Sequence, residues 1–184
     1  SDEAGAKLIH ISTDCVFSGR KGNYTENDFR DADDVYGRSK ALGEILNGKD
    51  LTIRTSIIGP ELKKNGEGLF HWFMNQHGQV NGFKTAIWGG VTTLELAKAI
   101  DKAIEQQKTG LIQLSNGVGI SKYDLLRLFK ELWHKQDVEI LPYDANGVDK
   151  SIAKSGSFEY VVPDYRLMLQ EQVTWMNAHQ DLYM

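Results

Sequence analysis

Residues 11–44 read Ile11-Ser-Thr-Asp-Cys-Val-Phe-Ser-Gly-Arg-Lys-Gly-Asn-Tyr-Thr-Glu-Asn-Asp-Phe-Arg-Asp-Ala-Asp-Asp-Val-Tyr-Gly-Arg-Ser-Lys-Ala-Leu-Gly-Glu44. The stretch opens at the end of a short apolar run, Leu8–Ser12, which predicts a buried strand. A Val16-Phe17-Ser18-Gly19 turn and a polar loop follow. From Val35 to Asn47 the pattern predicts a helix, with Asp33 or Asp34 as its cap and Gly48 just past its end. Tyr36 and Lys40 stand four residues apart on that helix, which places both side chains on one face. An ammonium beside a phenol favours the phenolate, so the tyrosine becomes a usable acid or base nearer neutrality. A hydroxyl from the strand end, Thr13 or Ser12, is in a position to bond a carbonyl oxygen. Tyr-x-x-x-Lys alone is common in helices, where it usually means a solvated lysine beside a half-buried tyrosine. Here it follows a strand ending in Ser-Thr-Asp. Gly37 and Gly43 also sit inside the helix, where each costs ~1 kcal/mol against alanine, which predicts close approach of another backbone or of a ligand.

Outward from this stretch, strands alternate with helices. Leu51–Ile58 is rich in β-branched residues and stops at Gly59-Pro60, a second strand. Leu69–Gln76 predicts a helix with an aromatic face, and Thr92–Gln106 a strongly amphipathic one. Leu111–Leu114 is a third strand, Ser121–Trp133 a helix capped by Ser121, Val138–Leu141 a short strand and Arg166–Ala178 a closing helix. The alternation predicts an α/β fold, a parallel sheet covered by helices. The less regular stretches, between Gly59 and Thr92 and beyond Val138, predict a small lobe over the carboxyl edge of the sheet, where open α/β folds bind ligands.

Composition narrows the function classes. The 184 residues are 41% hydrophobic and 25% charged, enough for a real core and against disorder. The net charge of −4 argues against a general nucleic-acid binder. No apolar run approaches the ~20 residues of a membrane helix, and no secretory h-region opens the sequence. The single cysteine, Cys15, excludes an internal disulfide framework and predicts a reducing compartment, the cytoplasm. The five histidines lack metal-ligand spacing, so no metal site is expected.

Ser12-Thr13-Asp14-Cys15-Val16-Phe17-Ser18-Gly19, the loop Gly22-Asn23-Tyr24-Thr25-Glu26, the block from Tyr36 to Glu44 and Ile53-Arg54-Thr55-Ser56 together resemble the extended short-chain dehydrogenase/reductase superfamily. Within it they are most similar to the dTDP-4-dehydrorhamnose reductase-like branch of sugar-nucleotide reductases. Gly90-Val91-Thr92-Thr93 and Gly119-Ile120-Ser121-Lys122 fit as well. The resemblance implies a Rossmann-like fold and a nicotinamide cofactor, NADP or NAD. It implies Tyr36 as the proton donor, Lys40 as the ribose ligand and Thr13 as the residue that orients the carbonyl. Ile11 then lies where backbone approaches the cofactor, and Asp14, Ile57 and Lys150 lie beside the substrate. It divides the chain into a cofactor-binding remnant (1–60 and 86–118) and substrate-lobe elements (61–85 and 119–184).

One departure stands out. The family's Gly-x-x-Gly-x-x-Gly turn, which brings a dinucleotide pyrophosphate to a helix N-terminus, has no counterpart; Asn65-Gly66-Glu67-Gly68 does not follow a strand. The sequence is therefore expected to begin at what the family counts as its fifth strand, about 90 residues in. The cofactor site is then incomplete, and the bare edge of the Leu8–Ser12 strand predicts self-association, a homo-oligomer. Two classes of function follow: a reductase of a 4-keto sugar nucleotide (with epimerase or dehydratase as sister chemistries), or a non-catalytic partner or scaffold module derived from one. Bland roles are expected for the other candidates. These are core packing for Phe70, Trp72, Phe73 and Trp88, solvation for Lys63 and Lys64, an inert thiol at Cys15, a structural Arg54, and a solvated loop with helix capping for the acidic run of Glu26, Asp28, Asp31, Asp33 and Asp34.

Overall fold

The strand predicted at Leu8–Ser12 forms as β1 (Ile9–Ser12) in a computed structural model that describes residues 3–63, 65–145 and 147–183. A 3-10 turn, Asp14–Val16, follows it directly. Next comes helix α1 (Val35–Leu42), shorter than the predicted Val35–Asn47. Gly43 is its C-cap, with its N–H on the Ser39 carbonyl. Beyond Gly43 side chains compete for the backbone groups a helix would have used. Thr52 Oγ1 donates to the Ile45 carbonyl (2.7 Å) and accepts from the Ile45 N–H (3.2 Å), and Asn47 Oδ1 accepts from the Lys49 and Asp50 N–H groups.

The run Leu51–Ile58 splits into β2 (Leu51–Arg54) and β3 (Ile57–Ile58). Between them the chain changes partner. Thr55 Oγ1 donates to the Leu114 carbonyl, and the Ser56 carbonyl accepts from Val91 N–H. Gly90 permits this crossing, because a Cβ there would stand 2.1 Å from the Ser56 carbonyl oxygen. Then come α2 (Leu69–Met74), β4 (Gly78–Phe83), β5 (Ala86–Trp88), β6 (Val91–Thr92), α3 (Thr93–Glu105) and β7 (Gly110–Gln113). The remainder holds β8 (Ile120–Ser121), α4 (Lys122–Leu132), β9 (Val138–Tyr143), β10 (Val148–Asp149), α5 (Tyr165–Ala178) and a 3-10 turn, Gln180–Leu182.

The main sheet is parallel, in the order β1-β2-β7, with Ile11 opposite Ile53 and Ile53 opposite Ile112. Three smaller sheets lie beside it: β3 with β6 and β4 with β9, both parallel, and β10-β5-β8, in which β8 runs antiparallel. Leu51, Ile53 and Ile112 of the sheet are completely buried in a core with Ala99 and Ala103 of α3, Leu125 and Phe129 of α4 and Met168 of α5. The predicted Ser121 cap forms, accepting from Asp124 N–H at the head of α4, while Thr92, read as the first residue of the α3 helix, is its cap and accepts from Glu95 N–H. Phe70, Phe73 and Trp88 are buried as expected, whereas Trp72 is 40% exposed.

β1 pairs only with β2 among the described strands. Leu51 N–H bonds the Leu8 carbonyl, and the register puts Ile9 opposite Leu51. By alternation the peptide groups of His10 and Ser12 face β2, and those of Ile9 and Ile11 face away.

Candidate active site

At the carboxyl end of β1, Thr13 turns the chain. Its Oγ1 accepts from Cys15 N–H (3.1 Å) and so caps the 3-10 turn, and it donates its proton to Asp14 Oδ1 (3.0 Å). Thr13 and Asp14 are both buried. Burial pushes the Asp14 carboxyl above the ordinary aspartate value, against the Thr13 bond, the Lys150 ammonium and the Cys15 N–H, which favour the ion. Burial, with the Asp14 charge beside it, also raises the Cys15 thiol, which keeps it protonated and a poor nucleophile.

α1 lies across this turn because Gly37 has no side chain. A Cβ at Gly37 would meet the Cys15 carbonyl oxygen at 2.3 Å and Ala32 Cβ at 2.6 Å. Asp34, not Asp33, caps the helix by accepting from Gly37 N–H (2.7 Å), and that bond holds the Asp34 carboxyl below its usual range. Gly43 has no such neighbour; the nearest atom to a Cβ there is the Ser39 carbonyl of its own last turn, at 3.5 Å. The predicted close approach therefore occurs at Gly37 and not at Gly43, whose place is the helix end.

The side chain of Lys40 reaches back to the strand, where Nζ donates to the Ile11 carbonyl (2.9 Å) on the edge that faces away from β2. One of the three ammonium donors is used there. Tyr36, one turn earlier on α1, is 56% exposed, and its phenol makes no hydrogen bond among the described residues. Ile11, Thr13, Tyr36 and Lys40 are thus gathered where β1 ends and α1 begins. Ser12 does not join them: its hydroxyl donates to Glu44 Oε1 (2.7 Å) and is buried, which leaves Thr13 as the strand-end hydroxyl outside the Glu44 network.

Lys150 arrives from far along the chain. Asp149 N–H bonds the Gly19 carbonyl (2.8 Å), Asn23 N–H bonds Ser151 Oγ (2.9 Å), and Tyr24 pairs with Ile152 in a parallel bridge. These ties bring the Lys150 ammonium within the electrostatic reach of Asp14, Cys15 and Asp34. Ile57 stands apart on β3, 48% exposed. It opens onto a depression of about 310 Å³ lined also by Pro60, Glu61, Phe70 and Thr93.

Ion pairs and a hydrogen bond around Glu44 tie the end of β1 to β2 and to the end of α1. Glu44 accepts from Arg54 Nε (2.6 Å) and Nη2 (2.8 Å), from Ser12 and from Arg30 Nη1 (2.9 Å). Burial opposes its ionisation, yet Arg54, Ser12 and Arg30 together keep its carboxyl below the ordinary glutamate value. Arg54 is 2% exposed, with Nη1 on the Glu26 carbonyl and its guanidinium over the Phe17 ring, the structural role expected of it. Glu44 was legible only as the last residue of the Tyr36 block; nothing in spacing announced that it reads Ser12, Arg30 and Arg54 together. Beyond the Asp34 cap, the acidic loop is bonded rather than simply solvated: Asp31 binds Ser18, Asp28 binds Thr25 and Lys21, and Asp33 pairs with Arg20. Lys63 pairs with Glu61 (3.6 Å), and Lys64 lies outside the described residues. No three His, Cys, Asp or Glu side chains gather as metal ligands among the described residues.

A parallel sheet with a tyrosine-lysine helix against the end of its edge strand defines a short-chain dehydrogenase/reductase-like protein, and comparison with known proteins carries this further. The family model of the RmlD substrate binding domain matches residues 1–157. The chain belongs to that family, a sugar-nucleotide reductase-like branch of the superfamily named by the sequence resemblance. Over 63 residues it is 49% identical to the spore coat polysaccharide biosynthesis protein SpsK of Bacillus subtilis (strain 168), covering 32% of this chain and 22% of the relative. Over 63 residues it is 43% identical to a dTDP-4-dehydrorhamnose reductase of Aggregatibacter actinomycetemcomitans, covering 32% of this chain and 21% of that protein. The crystal structure of a dTDP-4-dehydrorhamnose reductase of Clostridium acetobutylicum superposes with a TM-score of 0.79 at 22% identity, covering 96% of this chain and 68% of that one. A hypothetical dTDP-4-dehydrorhamnose reductase from Sulfolobus tokodaii gives 0.71 at 30% identity, covering 89% and 63%. The matched segments thus span only about a fifth of the two curated relatives.

Proposed function

We propose that this chain carries the proton-donating and substrate-orienting part of an NAD(P)H-dependent reductase acting on a 4-keto sugar nucleotide of the dTDP-4-dehydrorhamnose type. The observation that carries the reading is the exposed Tyr36 phenol on the same helix face as Lys40, whose ammonium is bound to the Ile11 carbonyl at the end of β1. The residues present fit the nicotinamide-ribose end of a dinucleotide, because two of the three Lys40 donors remain for a diol beside the Ile11 carbonyl. When bound, the cofactor supplies the hydride to the carbonyl carbon. Tyr36 gives its proton to the carbonyl oxygen, which becomes the hydroxyl, and Thr13 orients that oxygen. Lys150 and Asp14 lie beside the nucleotide sugar, and Ile57 lines an aliphatic flank. Residues 1–60 and 86–118 are the cofactor side of this arrangement, and 61–85 with 119–184 the substrate side. A reducing, cytoplasmic setting suits the single cysteine.

Titration with NADPH and NADH, followed by turnover of a dTDP- or UDP-4-keto sugar, tests the reading. Micromolar binding with turnover is expected of the reductase, and Tyr36→Phe is expected to lose turnover by a factor of at least ~100. Unchanged turnover in the phenylalanine variant would remove Tyr36 from the mechanism. Absence of cofactor binding at millimolar concentration would favour the partner-subunit reading. The edge of β1 away from β2, which pairs with no other strand among the described residues, supports a further part of the proposal, that copies of the chain self-associate.

A further inference from the structure

The Thr13 hydroxyl has one proton, and here that proton is spent on Asp14 Oδ1, while the oxygen already accepts from Cys15 N–H. So arranged, Thr13 has nothing to donate to a carbonyl. It becomes a donor only if Asp14 turns from acceptor to donor, which a carboxyl does when it binds a proton. The threonine oxygen can then accept from both the Asp14 O–H and the Cys15 N–H, and its own O–H is released to point outward. No atom has to move by more than a rotation of hydroxyl hydrogens.

We infer that Asp14 is a positioning residue whose proton decides whether the Thr13 hydroxyl is held inward or presented to the carbonyl oxygen of a ligand. The second half of that statement rests on the reading of Thr13 as carbonyl orienter; the first half is a property of the free protein. The surroundings suit a switch. Asp14 is 4% exposed, so water does not compete for the Thr13 proton. Burial favours the protonated carboxyl, and Lys150, coming from the segment after β10, favours the ion. Cys15 flanks Asp14 on its own turn, and Asp34, at the head of α1, shares the field of Lys150. Burial and the Thr13 bond weigh most on the Asp14 proton, and Lys150 biases the switch toward the ion, apart from any contact it makes with a ligand.

Carbon-13 NMR of the isotopically labelled chain reads the switch without ligand. The Thr13 methyl resonance is expected to follow the Asp14 carboxyl with one common midpoint above that of ordinary aspartates. Lys150→Met is expected to move both midpoints upward together, and Asp14→Asn to abolish the Thr13 step. A Thr13 resonance that stays flat while Asp14 titrates in the wild-type chain overturns the inference, whatever the variants do. Calorimetric titration with a dTDP-4-keto sugar on either side of that midpoint adds the functional arm. Affinity is expected to fall about five- to tenfold on the alkaline side, roughly the worth of one hydrogen bond, and Thr13→Val to remove that pH step. Binding that ignores the midpoint while Thr13 follows Asp14 overturns the link to the carbonyl. No binding at any pH, with the NMR switch present, sinks the reductase reading and leaves the inward-outward switch supported.

Discussion

Gly37 and Gly43 share a helix and were alike in the sequence, yet they have opposite physical meanings. Alanine at Gly37 would drive a methyl into the Cys15 carbonyl and Ala32, so α1 would have to lift off the 3-10 turn. Gly37→Ala is expected to cost about 1–3 kcal/mol in urea unfolding and to disturb Tyr36 with it. Gly43→Ala, at φ −80° and with space around it, is expected to be neutral or stabilising by up to about 1 kcal/mol. Equal costs at the two sites would contradict the packing described. Glu44 and Arg54 bear on the same junction, because both are sealed from solvent. Removing one partner strands the other charge, so Arg54→Met is expected to destabilise by about 3–5 kcal/mol in the same unfolding assay. The Glu44 carboxyl is held below the ordinary value of 4.5 in the fold, so its contribution is complete above that pH and is lost as pH falls through the lower folded value. Asp14 has the reverse sign: its raised carboxyl makes the fold less stable as pH climbs from the unfolded value of 3.8 through the folded one. Thermal melts across pH are expected to show Asp14→Asn gaining on the wild type as pH rises, and Glu44→Gln losing least in acid.

At the level of elements, sequence patterns foretold what local physics decides. Both amphipathic helices, α3 and α4, formed, and α4 with its predicted Ser121 cap, because a hydroxyl three residues before an acidic N–H satisfies the helix start whatever surrounds it; Thr92 caps α3 in the same way. α1 ended early because Thr52, a residue on the next strand, takes up the Ile45 backbone. That is a tertiary contact, which no window along the chain can see. β4 went unread for a related reason: Gly-Gln-Val-Asn-Gly-Phe is polar and glycine-rich, and only Val80 and Gly82 are buried. β10 and β8 have two residues each and exist only by pairing with β5. The edge of β1 carries the prediction at this scale. Its outward peptide groups invite another strand, and light scattering is expected to show a mass that rises with protein concentration. A single monomeric mass at high concentration would contradict it.

Across the whole molecule, the candidate site joins three stretches: residues 11–15, the first turns of α1, and the segment from Asp149 to Ile152. The first two were legible because they neighbour one another in sequence and carry a familiar pair of side chains. Resemblance alone suggested the third, since no periodicity connects Lys150 with Asp14. Tyr24 makes the connection physical. Its ring stacks on Phe17 (4.2 Å between centroids), and its hydroxyl accepts from Gly19 N–H (3.1 Å) and Lys21 N–H (3.0 Å) while its backbone pairs with Ile152. Tyr24→Phe would strand those donors, so it is expected to cost about 1–3 kcal/mol and to weaken sugar-nucleotide binding through Lys150. Loss of stability without loss of binding would place Lys150 outside the site. The bridge between Tyr24 and Ile152 also means that the segment after β9 is gripped at two places: by the loop after β1, and by α3 and α4, against which α5 packs. Covalent continuity through residues 143–148 is then not what holds the two sides together, and a molecule reconstituted from two separately made pieces divided there should close around the same cleft.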